Sequence, residues 1–261
     1  LLPAGTAKRY LPFTDPAQAT GSEAEISACF QSVCGEIRDA MAALIHELRA
    51  NQQMSVRQDS DEQLFQQSDV EIQSQSSVYH GFLKVERLHL KHQLFQGGWS
   101  ARLERELLIK EQAVGVLLLD PDTDRLVMVR QFRVGMLWQP ESPWPLELVA
   151  GMVDKKETLE AVALRETREE TGLTASELVK ICEYFNSPGA STEKVTLFCA
   201  KVDAEAAGGI HGLEHEHEDI KVVVLPREQA LQRVRSGEIN NAMSLIALQW
   251  LELNRKTLEK S

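Results

Sequence analysis

The sequence predicts an α/β protein in which a mixed sheet is sandwiched by helices, preceded by a small N-terminal β subdomain and an N-terminal helical extension. Three observations carry this prediction. Ala113 to Leu119 is a continuous apolar strand, Asp120-Pro-Asp-Thr-Asp124 is turn chemistry, and Arg125 to Arg133 returns as the hairpin partner. Leu159 to Thr171 reads as a helix, with Gly172 as its C-terminal stop. Strand patterns then resume at Leu178–Phe185, Lys194–Val202 and Ile220–Leu225, and two further helices follow. The expected divisions are an extension over 1–54, the β subdomain over 55–110 and the main domain over 111–261.

Taken in order, residues 1 to about 21 are polar, hold several prolines and show no period, so they read as a loose tail. Ser22 and Glu25 stand at the spacing of a capping box and would open a helix through about Ala50. Ile26, Phe30, Val33, Ile37, Met41, Leu44, Ile45 and Leu48 recur at threes and fours. That stripe must bury against the main domain, a second copy or another protein, which suggests a dimer-stabilising or partner-binding helix. Residues 51–77 are rich in Gln, Ser and Asp, a linker composition. The strand signal begins at Val70. Ser77 to Leu88 reads as a strand with a glycine break, Leu88 to Phe95 repeats it, Gly97-Gly98 turns the chain, and Trp99 to Ile109 follows as a strand. Beyond the central hairpin, a proline-rich loop from Gln139 to Pro145 leads into a strand, Leu146 to Ala150, that delivers Gly151. Asn186–Glu193 and the acidic stretch Asp203–Asp219 are loops. Pro226 opens a helix at a position proline tolerates, and Asn241–Arg255 is the last helix.

Composition narrows the function. A formal net charge of −11 argues against a nucleic-acid surface, which needs a basic footprint. The longest apolar run, Ala113 to Leu119, is far too short to span a membrane, and the N-terminus lacks the pattern of a secretory signal. Cys29, Cys34, Cys182 and Cys199 are scattered, with no C-x-x-C pair, and read as reduced thiols of a cytoplasmic protein. A catalytic cysteine would need a supporting base, and none stands nearby in the sequence.

The most informative stretch is Gly151 to Leu173. Within it Glu166, Glu169 and Glu170 fall at i, i+3 and i+4, on one side of the helix. Like charges so placed destabilise a helix by about 0.2–0.5 kcal/mol per pair. Arg165 and Arg168 relieve any one glutamate, but the whole group suits a hard divalent cation such as Mg²⁺, which takes a couple of carboxylates plus substrate phosphates and waters. The full pattern is Gly151, five residues, Glu157, seven residues, Arg165-Glu166, two residues, Glu169-Glu170, one residue, then Gly172-Leu173. It resembles the Nudix box, with one departure: Thr167 stands where the pattern usually carries an apolar residue.

The resemblance implies the Nudix α/β/α sandwich and metal-assisted cleavage of a diphosphate, with two or three Mg²⁺ ions per site and Mn²⁺ as an alternative. It makes Glu166 and Glu170 metal ligands and Glu169 a third ligand or an outer acid, against a plain solvated helix residue. Ala150 would contribute its backbone carbonyl, Arg165 would hold a catalytic glutamate in place, and Glu157 would salt-bridge within the box. Such ions polarise phosphoryl oxygens and lower the pKa of a bound water, so the remaining need is a base.

That need directs attention to His211–Asp219, where Glu214, Glu216 and Glu218 alternate with His215 and His217. A zinc site and a merely solvated acidic loop are the other readings of this stretch. From about Val70 onward the chain resembles the bacterial ADP-ribose pyrophosphatase branch of the family. The resemblance is carried by Leu146–Met152, Ser187-Pro-Gly189, Gly209–Leu213, Glu218-Asp-Ile220 and Ala247–Leu251, and by Pro188 fifteen residues beyond Leu173. It implies Glu216 as general base, with Glu214 the alternative one alternation away, and Glu218 as a metal ligand. It also implies a homodimer with shared sites. Phe82 and Leu83 would meet the adenine, Arg105 and Glu106 of the partner subunit would hold the same end, and Arg133 would face the diphosphate. Met152, Ser187, Pro188, Gly189 and Glu193 would complete the pocket around the terminal ribose. The expected reaction is hydrolysis of ADP-ribose to AMP and ribose 5-phosphate. Another nucleoside diphosphate sugar (ADP-glucose or GDP-mannose) is the enzymatic alternative. A module that binds ADP-ribose without cleaving it is the alternative of another class, although the intact box argues against it.

Overall fold

The computed structural model describes residues 15, 20–58, 65–153 and 156–258. Most of the expected tail, part of the expected linker and the side chains of Met41, Leu44, Ile45 and Leu48 lie outside the described residues. The chain divides into two compact units, Leu1–Ser68 and Asp69–Ser261. In the first, helix α1 spans Glu23–Gln58. Its start is the expected capping box: the Ser22 N–H donates to Glu25 Oε2 at 2.7 Å, and the Glu25 N–H donates to Ser22 Oγ at 3.4 Å. The helix continues past Ala50 because Asn51 to Gln58 holds neither glycine nor proline to break it.

The second unit carries two sheets. The smaller is antiparallel, built from β1 (Val70–His80), β2 (Lys84–His92) and β3 (Leu103–Ile109) in that order. Gly81 does not break a strand, as the sequence suggested; it lies in the turn joining β1 to β2. The third strand starts at Leu103, later than expected, because Trp99 and Ser100 are held in the turn that closes on Gln93 and His92. This sheet is fastened to the rest by the end of β3. The Leu108 N–H donates to Ala190 O at 2.8 Å, and the Thr192 N–H donates to Leu108 O at 3.0 Å.

The larger sheet comprises β4 (Ala113–Asp120), β5 (Arg125–Arg130), β6 (Leu146–Glu147), β7 (Val149–Met152), β8 (Ser176–Phe185), β9 (Lys194–Lys201), β10 (Ile210–His211) and β11 (Ile220–Pro226). The order is β10-β11-β5-β4-β9-β8, with β6 on β5 and β7 on β4. Only the β4–β9 pair is parallel, so the sheet is mixed. Helix α2 (Leu159–Thr171) covers one face, while α3 (Arg227–Arg235) and α4 (Ala242–Leu258) cover the other. Side chains alternate along a strand, so β4 feeds both cores. Val114, Val116 and Leu118 pack with Val162 and Ala163 of α2, whereas Leu117 and Leu119 pack with Ala247, Leu248 and Leu251 of α4. Burial on both faces is the physical reason for the unbroken apolar run.

The segment expected as one strand, Leu146 to Ala150, is two. Leu146–Glu147 pairs with β5 and Val149–Met152 pairs with β4. Because β4 and β5 run in opposite directions, one straight strand cannot be antiparallel to both, and the chain turns at the buried Leu148. The turn wedges β6 and β7 into the gap where β4 and β5 separate. Pro226 likewise differs from expectation: it ends β11 and precedes α3 as its N-cap.

One ion-pair knot ties the hairpin to the helices. Arg227, 5% exposed, donates through Nε and Nη2 to the Asp124 carboxylate at 2.8 and 3.1 Å and through Nη1 to Glu252. Asp124 and Glu252 remain in reach of water, which keeps the penalty of losing the arginine below that of a fully buried pair. Replacing Arg227 with Met is expected to lower the unfolding free energy by about 2–3 kcal/mol, the scale of a hydrogen bond to a charged group. Urea denaturation at pH 7 measures the change.

Candidate active site

Helix α2 is set by its caps. Thr158 Oγ1 accepts the Ala161 N–H at 3.2 Å at the start, and Gly172 adopts a left-handed φ of 72° at the end. Between them, Val162, Ala163, Thr167, Glu170 and Thr171 form the buried stripe. Thr167 occupies a fully buried position, and its hydroxyl donates to Ala163 O at 2.7 Å. A polar residue fits there because the helix itself satisfies the hydroxyl, leaving the methyl to pack.

Glu170 lies on the same stripe and is only 2% exposed. One of its oxygens accepts the Ala150 N–H at 3.3 Å. That N–H is available because of register. Val153 bonds to Gln112, which places Ala150 opposite Gly115 at a non-hydrogen-bonded position of the β4–β7 ladder. Both polar groups of Ala150 therefore face away from β4, and the N–H meets Glu170 of α2. Glu166, one turn earlier, approaches the next residue of the same strand. A Cβ on Gly151 would lie 1.8 Å from Glu166 Oε1, so only glycine leaves room for the carboxylate.

Electrostatics mark this spot. Burial, reinforced by Glu166, pushes the Glu170 carboxyl up to about 8; the Ala150 N–H and Arg133 oppose the shift, and Glu218 adds to it. Burial also pushes Glu166 up to about 7, against the pull of Arg165, with Glu169 and Glu218 adding repulsion. Arg165 sits at the rim. It holds Glu157 through both carboxylate oxygens at 3.0 and 3.1 Å and donates to Glu166 and Glu169 at 2.8 and 2.9 Å. Glu157, first among these partners, raises the guanidinium above its ordinary range.

The acidic loop arrives from the other side. The Gly212 N–H reaches Glu169 O on α2 at 3.4 Å, and the Leu213 N–H donates to Glu218 Oε2 at 3.1 Å. Glu218 is thereby aimed at the α2 pair, whereas Glu214 to Glu216 form a short 3-10 turn. Glu216 is more than half exposed and lies 3.6 Å from His215 Nε2. Arg133 faces the group from the β5–β6 connection, with its Nε donating to Glu147 Oε2 at 2.7 Å. Glu147 was missed from sequence; its position in an apolar strand was the available signal.

The remaining expected contacts are spread over the unit. Phe82 and Leu83 stand in the β1–β2 turn, with Phe82 89% exposed. On β3, Arg105 donates to Glu104 O at 2.8 Å, and Glu106 is held by Arg87 at 2.9 Å. Met152 ends β7 beside Gly151, exposed. Ser187, Pro188 and Gly189 lie in the β8–β9 loop, where Ser187 O accepts the Ser191 N–H at 2.9 Å. Glu193 is tied to Asn186 at 2.7 Å and Lys110 at 3.3 Å.

Glu166, Glu170 and Glu218 offer oxygen donors, and a hard divalent cation would favour their ionised forms. Among the described residues, no group of three or more Asp, Glu, His or Cys side chains is placed to hold a metal ion. Mg²⁺ needs only a couple of carboxylates besides waters and phosphate oxygens, and Glu166 and Glu170 stand one helical turn apart on α2.

Comparison with known proteins agrees with this chemistry. The model of the NUDIX domain matches residues 110–243. The chain belongs to the Nudix family. Nudix hydrolases generally work with a divalent metal ion. An ADP-ribose pyrophosphatase of Haemophilus influenzae is 46% identical over 208 residues, covering 78% of this chain and 96% of that protein. A GDP-mannose pyrophosphatase of an Enterobacter species is 35% identical over 162 residues, covering 61% of this chain and 83% of its own length. The crystal structure of an ADP compounds hydrolase superposes with a TM-score of 0.59 at 21% identity, covering 75% of this chain and 98% of the other, and supports the fold. Among the described residues, no helix is long and apolar enough to cross a membrane.

Two outcomes are expected. A carboxyl raised in the fold favours the folded state while it is protonated. In metal-free protein, the contribution of Glu166 and Glu170 is therefore present below the ordinary carboxylate range and lost as pH rises through about 7 and about 8. Thermal melting in chelator should move down between pH 5.5 and 8.5, and adding Mg²⁺ should recover more at the upper end. Gly151→Ala should weaken Mg²⁺ binding at least about tenfold, because the methyl and the Glu166 carboxylate need the same space. Calorimetric titration with Mg²⁺ reports it.

Proposed function

We propose that this Nudix hydrolase cleaves the diphosphate of ADP-ribose, using water, to give AMP and ribose 5-phosphate. The observation that carries the reading is the convergence of Glu166, Glu170 and Glu218, with Arg133 facing them from β5–β6. The extensive similarity to an ADP-ribose pyrophosphatase supports the substrate. Glu166, Glu170, Glu218 and the Ala150 carbonyl would hold Mg²⁺, with Glu169 a further ligand or an outer acid. Two or three ions per site are proposed, and Mn²⁺ could replace them. Bound there, the metal supplies charge neutralisation of the diphosphate and acidification of a water.

The protein's own part is positioning and proton transfer. Arg133 presents its guanidinium to a diphosphate oxygen while Glu147 fixes its Nε. Arg165 keeps Glu166 and Glu169 in place through its fourfold grip. Glu216 takes the proton of the attacking water, with Glu214 as the alternative base. The new P–O bond forms as the bridging P–O bond breaks. Phe82 and Leu83 receive the adenine, and Met152, Ser187 to Gly189 and Glu193 receive the terminal ribose.

A homodimer is part of the proposal. The small sheet leaves Ile72, Val78, Tyr79 and Phe82 exposed, an apolar surface that a second copy would cover. Arg105 and Glu106 of the partner subunit would then complete the adenine end. The 1–54 extension, the 55–110 subdomain and the 111–261 hydrolase domain remain the proposed division, in a cytoplasmic enzyme.

A second reading follows from the GDP-mannose pyrophosphatase similarity: another nucleoside diphosphate sugar as preferred substrate. Ranking ADP-ribose, ADP-glucose and GDP-mannose by kcat/KM decides between them. Glu170→Gln is expected to abolish AMP release while the protein stays folded, and undiminished kcat at saturating Mg²⁺ would reject its role. Glu216→Gln should lower kcat by about a hundredfold or more, the scale of a general base. A change confined to KM would move the base to Glu214. Tight ADP-ribose binding without AMP release would indicate a sensor instead.

A further inference from the structure

We infer that His211 is a positioning residue that docks the acidic loop on the end of α2 and so sets the metal affinity of the glutamate group. The inference rests on the metal reading above and concerns a residue that would touch neither ion nor substrate. The glutamates come from two separate segments: Glu166 and Glu170 from α2, and Glu218 from the loop after β10. Burial is the main reason Glu166 and Glu170 are pushed up, and Glu218, brought in by the other segment, adds like-charge repulsion to both.

Two neighbouring features bring the loop against the end of α2. One is the Gly212 N–H on Glu169 O, a long hydrogen bond of 3.4 Å. The other is the His211 ring, which lies over Gly172. A Cβ on Gly172 would stand 2.9 Å from His211 Cε1, so the ring takes the space left by the absent side chain. The ring is also locked within its own loop, because His211 Nε2–H donates to Gly208 O at 2.8 Å. That bond closes the turn Gly208–His211 and, with the β10–β11 pairing and the Val222 N–H on Gly209 O, holds the base from which Gly212 and Leu213 leave. From there the Leu213 N–H orients the Glu218 carboxylate at 3.1 Å. The imidazole thus sits at the end of α2 and braces the stretch of backbone that leads to the Leu213 N–H and so to Glu218.

Outer groups that orient metal ligands typically change affinity or activity by about 10–100-fold when removed. His211→Ala is expected to weaken Mn²⁺ binding, read as free Mn²⁺ by electron paramagnetic resonance, by about tenfold. His211→Gln keeps an N–H donor for Gly208 O and should restore affinity to within about threefold of the parent. Hydrogen exchange should rise in His211→Ala at residues 209–218 and stay unchanged in α4. Unaltered Mn²⁺ affinity in His211→Ala overturns the inference. Equal weakening in both variants, or faster exchange extending into α4, overturns it too, since the effect would then be loss of structure rather than of one hydrogen bond. Glu170→Gln is the control: if that variant binds Mn²⁺ as the parent does, the metal reading itself fails.

Discussion

Two carboxylates one helical turn apart, pressed against a strand that has no side chain at the point of contact, constrain the rest of the molecule. Glu170 is buried because it shares the sheet-facing stripe of α2 with Val162 and Ala163. Glu166 is brought to the backbone of β7 because Gly151 leaves the space. Neither position is favourable for an anion. Burial and mutual repulsion both favour the neutral acid, and the α2 helix must be anchored well enough to bear that cost.

The anchoring comes from the two cores on either side of β4. Val114, Val116 and Leu118 seat α2, while the opposite core seats α4, so the helix cannot recede from the sheet to relieve its glutamates. Arg165 gives partial relief at the rim and spreads one positive charge over three carboxylates. The deeper pair is still left favouring the neutral acid in the metal-free protein. A bound cation would reverse that preference by favouring the ionised forms.

Topology then places the neighbours. The turn at Leu148 lets one short segment fill the split between β4 and β5, and it brings two groups to the same place. Glu147 on β6 holds Arg133, and Ala150 on β7 turns its N–H toward Glu170. The acidic loop, entering beyond β10, closes the opposite side with Glu218. Four separate stretches of chain therefore meet around one cluster, each held by hydrogen bonds of its own.

Periodicity and local chemistry were legible before any fold was known. The run Ala113–Leu119, the capping box at Ser22 and Glu25, the stop at Gly172 and the glutamate spacing in α2 depend on neighbours a few residues away, and a sequence displays those neighbours. The family pattern added the site's membership. The break at Leu148, the direction of the Ala150 polar groups, the pairing of Arg133 with Glu147 and the seat of His211 over Gly172 were not legible. Each depends on which strand a residue faces and on which atoms distant segments bring to it. Those relations come from packing both faces of one sheet at once, and only the tertiary structure decides them.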